Sequence, residues 1–329
     1  MSHHPSDAVL GELLVRHLDT WLTGALRRSR RVTLALAYPG VVGDSAEAAL
    51  RTVAHAADRV RGHRLTVLVL GVDPDRLGTV GSRLPAEVTL HLVPGDPGRL
   101  PVVLKAAGAA GAPLLTVLSD PTGTDLTGPT ARAVAAAGRS AELLLAVGAS
   151  ARTDLTSAGF PLVTEVDTAF TDGTSPAVYA LGTRSDRSLE SFKESLWRAG
   201  AASGLRHRAL DGAVAEFTAE PDPGPLAALL HAELARSGPA TVTELRRHTL
   251  TATGYRAGDA VRALTVLLDS GAVRRDPPDG RLAGDVLIEA VAGSEAGAAA
   301  PETGVTAGLR AEAVATPEAG AVAGPEAAR

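Results

Sequence analysis

Apolar residues recur at intervals of three and four near the start of the chain. Leu10, Leu13, Leu14, Leu18, Trp21 and Leu22 share one face with His17, which predicts an amphipathic helix over residues 7–27. The pattern then changes. Five short, nearly continuous apolar runs follow: Val32–Ala37, Leu65–Val72, Val88–Val93, Leu114–Leu118 and Ala141–Val147. They alternate with segments of helical character near 46–60, 75–84, 99–110 and 126–137. Strands that are apolar on both faces belong to a parallel sheet covered on both sides. Right-handed crossovers make this a doubly wound, mainly parallel, Rossmann-like α/β sheet. A later strand over Ala177–Thr183 and a helix over Ser188–Arg198 complete it, and Asp154–Pro176 reads as an irregular insertion near the site.

Pro221-Asp-Pro-Gly-Pro225 marks a linker. Beyond it, Leu226, Leu229, Leu230 and Leu234 line one helix, and Thr241 with Glu244 forms a capping box that opens a second. Val261, Leu264 and Leu268 line a third helix, which ends at Gly271. Ala272–Arg275, a turn at Asp279-Gly280 and Leu282–Ile288 then read as a hairpin, so the region predicts a winged helix. The last stretch is Ala, Gly, Glu, Pro and Thr, too poor in apolar surface to offset its ordering entropy. The expected organisation is an N-terminal helix (1–30), a Rossmann-like domain (31–220), a winged helix (221–292) and a disordered tail (293–329).

The 329 residues carry a net charge of −5, which gives no general attraction for nucleic acid or an anionic membrane. Cysteine is absent, which excludes disulfides, thiolate metal sites and a cysteine nucleophile. His207, His231 and His248 lack metal-like spacing, so no metal site is expected. No apolar run is long enough to span a bilayer, and the first residues lack the layout of a signal peptide. A cytoplasmic protein is the expectation.

Chemistry concentrates where strands end. Ser119-Asp120-Pro121-Thr122-Gly123 puts a carboxylate on a sharp turn at the carboxyl end of the fourth strand, the edge where open α/β sheets bind ligands. A plain β-turn built on Asp, Pro and Gly is the alternative reading. Asp73 follows the second strand, as a ligand group or as a helix cap before Pro74. Gly40 and Gly43 follow the first strand, as an anion-binding turn or as an ordinary strand-to-helix turn.

Several segments, taken in order, resemble the three-Cys-motif partner proteins, a methyltransferase-like family. They are His17-Leu-Asp-Thr-Trp21, Ala37-Tyr-Pro-Gly40, Asp73-Pro-Asp-Arg76, Asp120-Pro-Thr-Gly123, and Ala180-Leu-Gly-Thr-Arg-Ser185 followed by Phe192-Lys-Glu-Ser-Leu-Trp197. The resemblance runs through most of residues 9–290. It implies a methyltransferase-type sheet, S-adenosylmethionine as cofactor, Asp120 and Pro121 as catalytic-site residues, and a three-cysteine, phage-associated protein as partner. It places Tyr38, Gly40, Gly43 and Asp73 around the cofactor. The chain departs from that pattern at the anchors. Leu34 stands at the acidic position of the first strand, Tyr38 at its first glycine, and Gly71 at the acidic position after the second strand. Two lost charge-assisted hydrogen bonds weaken binding by about a hundredfold or more, so cofactor binding is expected to be weakened or lost.

Three functions follow as expectations: a partner or scaffold with a degenerate cofactor site, an active methyltransferase on nucleic acid or protein, and a winged-helix regulator. For the last, Arg256 and Arg262 on the third helix and Arg274, Arg275 and Arg281 on the wing are the candidate DNA contacts. Residues 241–290 hold seven arginines and seven acids, however, and phosphate binding needs a positive excess.

Overall fold

The computed structural model describes residues 5–121, 127–170, 177–208 and 212–291. The order begins with α1 (Pro5–Arg28), β1 (Arg31–Val41), α2 (Asp44–His55), α3 (Ala57–Val60) and β2 (Arg64–Val72). A 3-10 turn (Pro74–Leu77) leads to α4 (Gly78–Gly81), β3 (Val88–Pro94), α5 (Leu100–Ala106) and β4 (Leu114–Asp120). Then come α6 (Thr127–Ala136), β5 (Ala141–Val147), α7 (Arg152–Ser157), β6 (Leu162–Phe170) and β7 (Ala177–Thr183). The long helix α8 (Asp186–Ser203) precedes β8 (Leu205–Arg208) and β9 (Val214–Glu216). The C-terminal region holds α9 (Gly224–Ser237), β10 (Ala240–Thr241), α10 (Val242–Ala252), α11 (Ala257–Asp269), β11 (Val273–Asp276) and β12 (Leu287–Ala290).

Nine strands form one sheet in the order β3-β2-β1-β4-β5-β7-β6-β8-β9. β1 to β5 run parallel, and β7 is antiparallel to both β5 and β6. Every residue of β4, β5 and β7 is buried, as near-continuous apolar runs require. One apolar cluster lies against α1, α2 and α8, and a second against α5, α6 and α7 on the other face. The sheet is therefore mainly parallel over its first five strands and covered on both sides. Among the described residues no helix is long and apolar enough to cross a membrane.

The stretch expected to be irregular is not. Asp154 to Phe170 contains the end of α7 and the whole of β6, while 171–176 lie outside the described residues. β6 escaped detection because Thr164, Glu165, Asp167 and Thr168 interrupt its apolar residues. Thr164 and Thr168 are buried, and the Thr168 hydroxyl donates to the Ala177 carbonyl at 2.6 Å. Threonine suits such strands because its β-branched side chain fits the pleat. The C-terminal tail expected over 293–329 also lies outside the described residues.

The C-terminal region consists of three helices and a three-stranded sheet in the order β10-β12-β11. The capping box at α10 is present, with the Thr241 amide donating to Glu244 at 2.8 Å and the Glu244 amide donating to Thr241 Oγ1 at 3.2 Å. Ion pairs join α10 to α8: Arg247 holds Asp186 through two bonds of 2.8 Å, and Arg246 holds Glu190 at 2.9 Å. Deeper in, the fully buried Lys193 of α8 donates to the carbonyl of Thr253, at the end of α10. One turn further along α8, Trp197 packs edge-on against Phe217 at 5.0 Å and lies under the Arg256 guanidinium at 4.9 Å. Gly200 is required beside it, since a Cβ there would fall 2.4 Å from the Phe217 ring.

Burial holds the Lys193 ammonium down at about 7 instead of the usual 10.5, with the Arg152 charge acting in the same direction. The unfolded chain therefore binds more protons between pH 7 and 10.5, and the cost of burying this side chain shrinks as pH rises through that window. Lys193→Met removes the titration. Its stability relative to the wild type is expected to fall by roughly 2–3 kcal/mol between pH 7 and about 9.5, measured by urea unfolding at both pH values. A difference that does not change with pH would show that Lys193 is not held in this way.

Candidate functional site

The carboxyl edge of the parallel strands is where the sequence placed the site. β1 pairs evenly with β2 from Arg31 to Ala37, then slips: Ala37 faces Leu70, but Val41 faces Val72. Tyr38-Pro39-Gly40 occupies the slip. Proline cannot donate to a ladder, so it belongs at such an irregularity. The strand then rejoins its neighbour, and the Val42 amide donates to the Val72 carbonyl at 3.1 Å. Val41 and Val72 are 49% and 50% exposed at this edge, side by side.

Gly43 is the N-cap of α2, in extended conformation and with no side chain to cap it. The cap comes from α1. One carboxylate oxygen of Asp7 accepts from the Ser45 amide at 3.1 Å, and the other accepts from the Ser45 hydroxyl. Ser45 has only one hydroxyl proton, so the buried Tyr38 hydroxyl, 2.9 Å away, donates to Ser45 Oγ. Burial raises the Tyr38 pKa further above its ordinary value and keeps it a donor. A Cβ on Gly43 would lie 2.3 Å from an Asp7 oxygen, which is why a glycine stands there. The Tyr179 hydroxyl donates to the Ser6 carbonyl at 3.1 Å and steadies the start of α1.

Helix N-termini with free amides bind anions. Here that position already holds a carboxylate from the chain itself. Asp7 was not legible as a site residue, because nothing in the sequence links it to Ser45, thirty-eight positions away.

The other candidates are dispersed around this edge. Leu34 is fully buried in mid-strand, paired with Val67 and Leu115. Gly71 admits no side chain, since a Cβ would meet Val42 Cγ2 at 2.8 Å and the Gly40 carbonyl at 3.1 Å. Gly40 itself is exposed. Asp73 is exposed with φ 53°, an uncommon conformation for a residue other than glycine, and its side chain does not cap the turn that follows. Asp120 is 1% exposed at the end of β4, and Pro121 begins the turn. Gly148, beyond β5, lets that turn pass, since a Cβ there would lie 2.8 Å from the Pro121 carbonyl. Thr122 and Gly123 lie outside the described residues.

Of the candidate DNA-contacting arginines, Arg256, Arg262, Arg274 and Arg275 are engaged internally, and Arg281 is exposed on the wing. Arg256 pairs with Asp259 at 3.0 Å and donates to the Ala219 carbonyl at 2.8 Å, and Arg262 also pairs with Asp259 at 2.5 Å. Arg274 pairs with Glu289 at 2.7 Å. Arg275 donates to the carbonyls of Pro277, Asp279, Gly280 and Arg281, and so shapes the loop between β11 and β12. Among the described residues, no three His, Asp or Glu side chains converge as a metal site.

No family model matches the chain, and no curated protein matches it. Among solved structures it is similar to an rRNA methylase from Streptococcus thermophilus, at 11% identity over 50% of this chain and 92% of that one, with a TM-score of 0.31. A predicted O-methyltransferase from Agrobacterium tumefaciens matches at 14% identity over 50% and 81% of the two chains, with a TM-score of 0.29. A loganic acid methyltransferase with SAH matches at 8% identity over 83% and 75%, with a TM-score of 0.22. At such values none of the three fixes what this chain does.

The internal cap generates a stability test. Asp7→Ala is expected to cost about 1–2 kcal/mol in urea unfolding, the usual range for a lost helix cap. Gly43→Ala should cost a similar amount by pushing the same carboxylate away. The two should not add: in the Asp7→Ala background the Gly43→Ala cost should drop by at least about 0.5 kcal/mol. Strict additivity would show that Gly43 and Asp7 do not share this space.

Proposed function

We propose that this chain is a methyltransferase-type protein of the three-Cys-motif partner kind, with a degenerate S-adenosylmethionine site, acting as a partner or scaffold rather than as a catalyst. Three things support the fold part of this reading. They are the resemblance of the sequence segments, the strand order β3-β2-β1-β4-β5-β7-β6, and the reversal of β7 between two strands that run alike. Methyltransferase-type sheets carry this order, and the inference is a fold-level analogy.

The observation that carries the functional part is the closure at the head of α2. Asp7, Ser45 and Tyr38 satisfy one another where a cofactor's polar groups would meet the helix. A second negative charge brought there meets a carboxylate, and a ligand must break the chain of bonds to enter. Leu34 offers no carboxylate to a cofactor ammonium, and Gly71 leaves no room for an acid beside the ribose. Asp73 and Asp120 remain as the polar groups of this edge.

The C-terminal region fits a protein-binding winged helix better than a DNA-binding one. Arg256, Arg262, Arg274 and Arg275 are held by acids and carbonyls of the same chain. The outer face of α11 carries Val261, Thr265 and Val266 beside Arg262, which Asp259 holds, and a shallow groove of about 710 Å³ runs between that helix and the wing. Insertion into a DNA groove would have to break those pairs. An apolar partner surface would not.

Titration calorimetry with S-adenosylmethionine and S-adenosylhomocysteine tests the cofactor reading. Dissociation constants weaker than about 100 μM are expected. A low-micromolar constant would establish the active methyltransferase instead. Fluorescence anisotropy with random duplex DNA at low salt is expected to show no submicromolar binding, and tight binding that weakens steeply with salt would establish the regulator.

A further inference from the structure

Arginines in many elements of the chain stand against an acid. Arg59, Arg76, Arg152, Arg208 and Arg247 each pair with an aspartate or a glutamate. Arg27, Arg28, Arg30, Arg31, Arg64 and Arg139 are exposed, and none has an ion-pair partner among the described residues. They gather at one end of the sheet. β1, β2, β4 and β5 run parallel, so their first residues line a single amino edge. Arg31 faces Arg64 in register, and the Arg64 amide donates to the Arg30 carbonyl at 2.7 Å. The Leu114 amide takes the Ser140 carbonyl at 3.1 Å, which puts Arg139 at the start of β5, two strands along from β1. With about 4.8 Å between strands, the row from Arg64 to Arg139 spans roughly 14 Å. Arg27 and Arg28 extend it from the end of α1, separated from Arg30 by Ser29 alone.

Folding accounts for part of this cluster. Arg27 and Arg28 lie in the last turn of α1, where a cation offsets the negative pole of the helix. That pole amounts to about half a charge, and its pull fades within one turn. It does not call for Arg30, Arg31 and Arg64 at the starts of β1 and β2, and facing like charges on neighbouring strands repel. The acids of this edge offset little. Asp58 is held by Arg61 at 3.0 Å, and Glu142 is buried on β5, where it accepts from the Ser188 hydroxyl at 2.9 Å. Glu87, whose carbonyl takes the Leu65 amide at 3.1 Å, balances one charge of the row. The chain as a whole has a net charge of −5, and its opposite edge carries Asp44, Asp73 and Asp120. A polyanion is therefore repelled elsewhere and admitted at the amino edge.

We propose that this amino edge is a docking surface for the phosphate backbone of duplex DNA, held without reading its sequence. Duplex DNA carries one phosphate per about 3.4 Å of each strand, so the row matches about four successive phosphates. Guanidinium groups take phosphate oxygens in pairs. No exposed large apolar side chain belongs to the starts of these strands or to the end of α1, and Trp21 is buried. A membrane surface calls for apolar insertion, a protein partner for an apolar or aromatic anchor, and a single strand for rings on which bases stack. The edge offers none of these. Contact through phosphates also does without the 2′-hydroxyl that marks RNA. The proposal is independent of the reading of the α2 site, which lies at the carboxyl edge, and it uses none of the wing arginines.

The test uses the full chain and a fluorescent random DNA duplex of about 16 base pairs, followed by anisotropy. A dissociation constant of about 3–30 μM is expected at about 50 mM salt, rising with salt at a logarithmic slope of about 4–5. The triple change Arg30→Glu, Arg31→Glu and Arg64→Glu should weaken binding at least tenfold and lower that slope by about 2–3. If the triple variant does not fold, Arg27→Glu with Arg139→Glu, in a helix end and a turn, should weaken binding at least fivefold. Arg281→Glu on the wing should change it less than twofold. Absence of binding at about 100 μM chain would overturn the proposal, as would unchanged binding by the folded edge variants. So would a loss on Arg281→Glu as large as on the edge variants, which would move the contact to the wing. Tenfold tighter binding of a duplex RNA of the same sequence would overturn it too, and so would cosedimentation with phosphatidylserine vesicles tighter than the binding to DNA.

Discussion

A carboxylate fixed at the head of a helix excludes other anions from the same place. Asp7, on the neighbouring helix α1, accepts from the Ser45 amide at the head of α2 and so caps that helix from within the chain. The arrangement is cooperative. The Ser45 hydroxyl donates a hydrogen bond to Asp7 and accepts one from Tyr38, so each member fixes the next. Tyr38 can join because it follows Leu34 and Leu36 on the face of β1 that packs against α1 and α2. Glycine at position 43 leaves room for the carboxylate, and glycine at position 71 leaves room for the returning strand.

Helix α8 plays the corresponding part for the C-terminal region. One side of it packs into the main core through Leu189, Phe192 and Leu196. Lys193 and Trp197 hold the C-terminal helices, by a hydrogen bond to the end of α10 and by an aromatic cluster that includes Tyr255 and His207. Arg246 and Arg247 reinforce the contact at the surface. Arg256, one of the arginines that a regulator would present to phosphate, takes part in the same junction, over the Trp197 ring.

The sequence by itself determined the order of the first five strands with the helices between them, and the class of sheet. Val/Leu runs such as Leu114–Leu118 and Ala141–Val147 can be buried on both faces only between layers of helix, so their alternation with helical spacing leaves few other architectures. It also determined the α10 cap, since Thr241 and Glu244 act on each other across three residues. β6 was hidden because buried threonines look polar in a one-dimensional reading, although Thr168 meets its own hydrogen-bonding need. Only the tertiary structure decided the site. Asp7 and Ser45 lie thirty-eight positions apart, and no periodicity couples residues at such a separation. Whether a carboxylate caps a helix or faces a ligand depends on which element packs beside it, and that is set by the burial of whole helices rather than by local pattern.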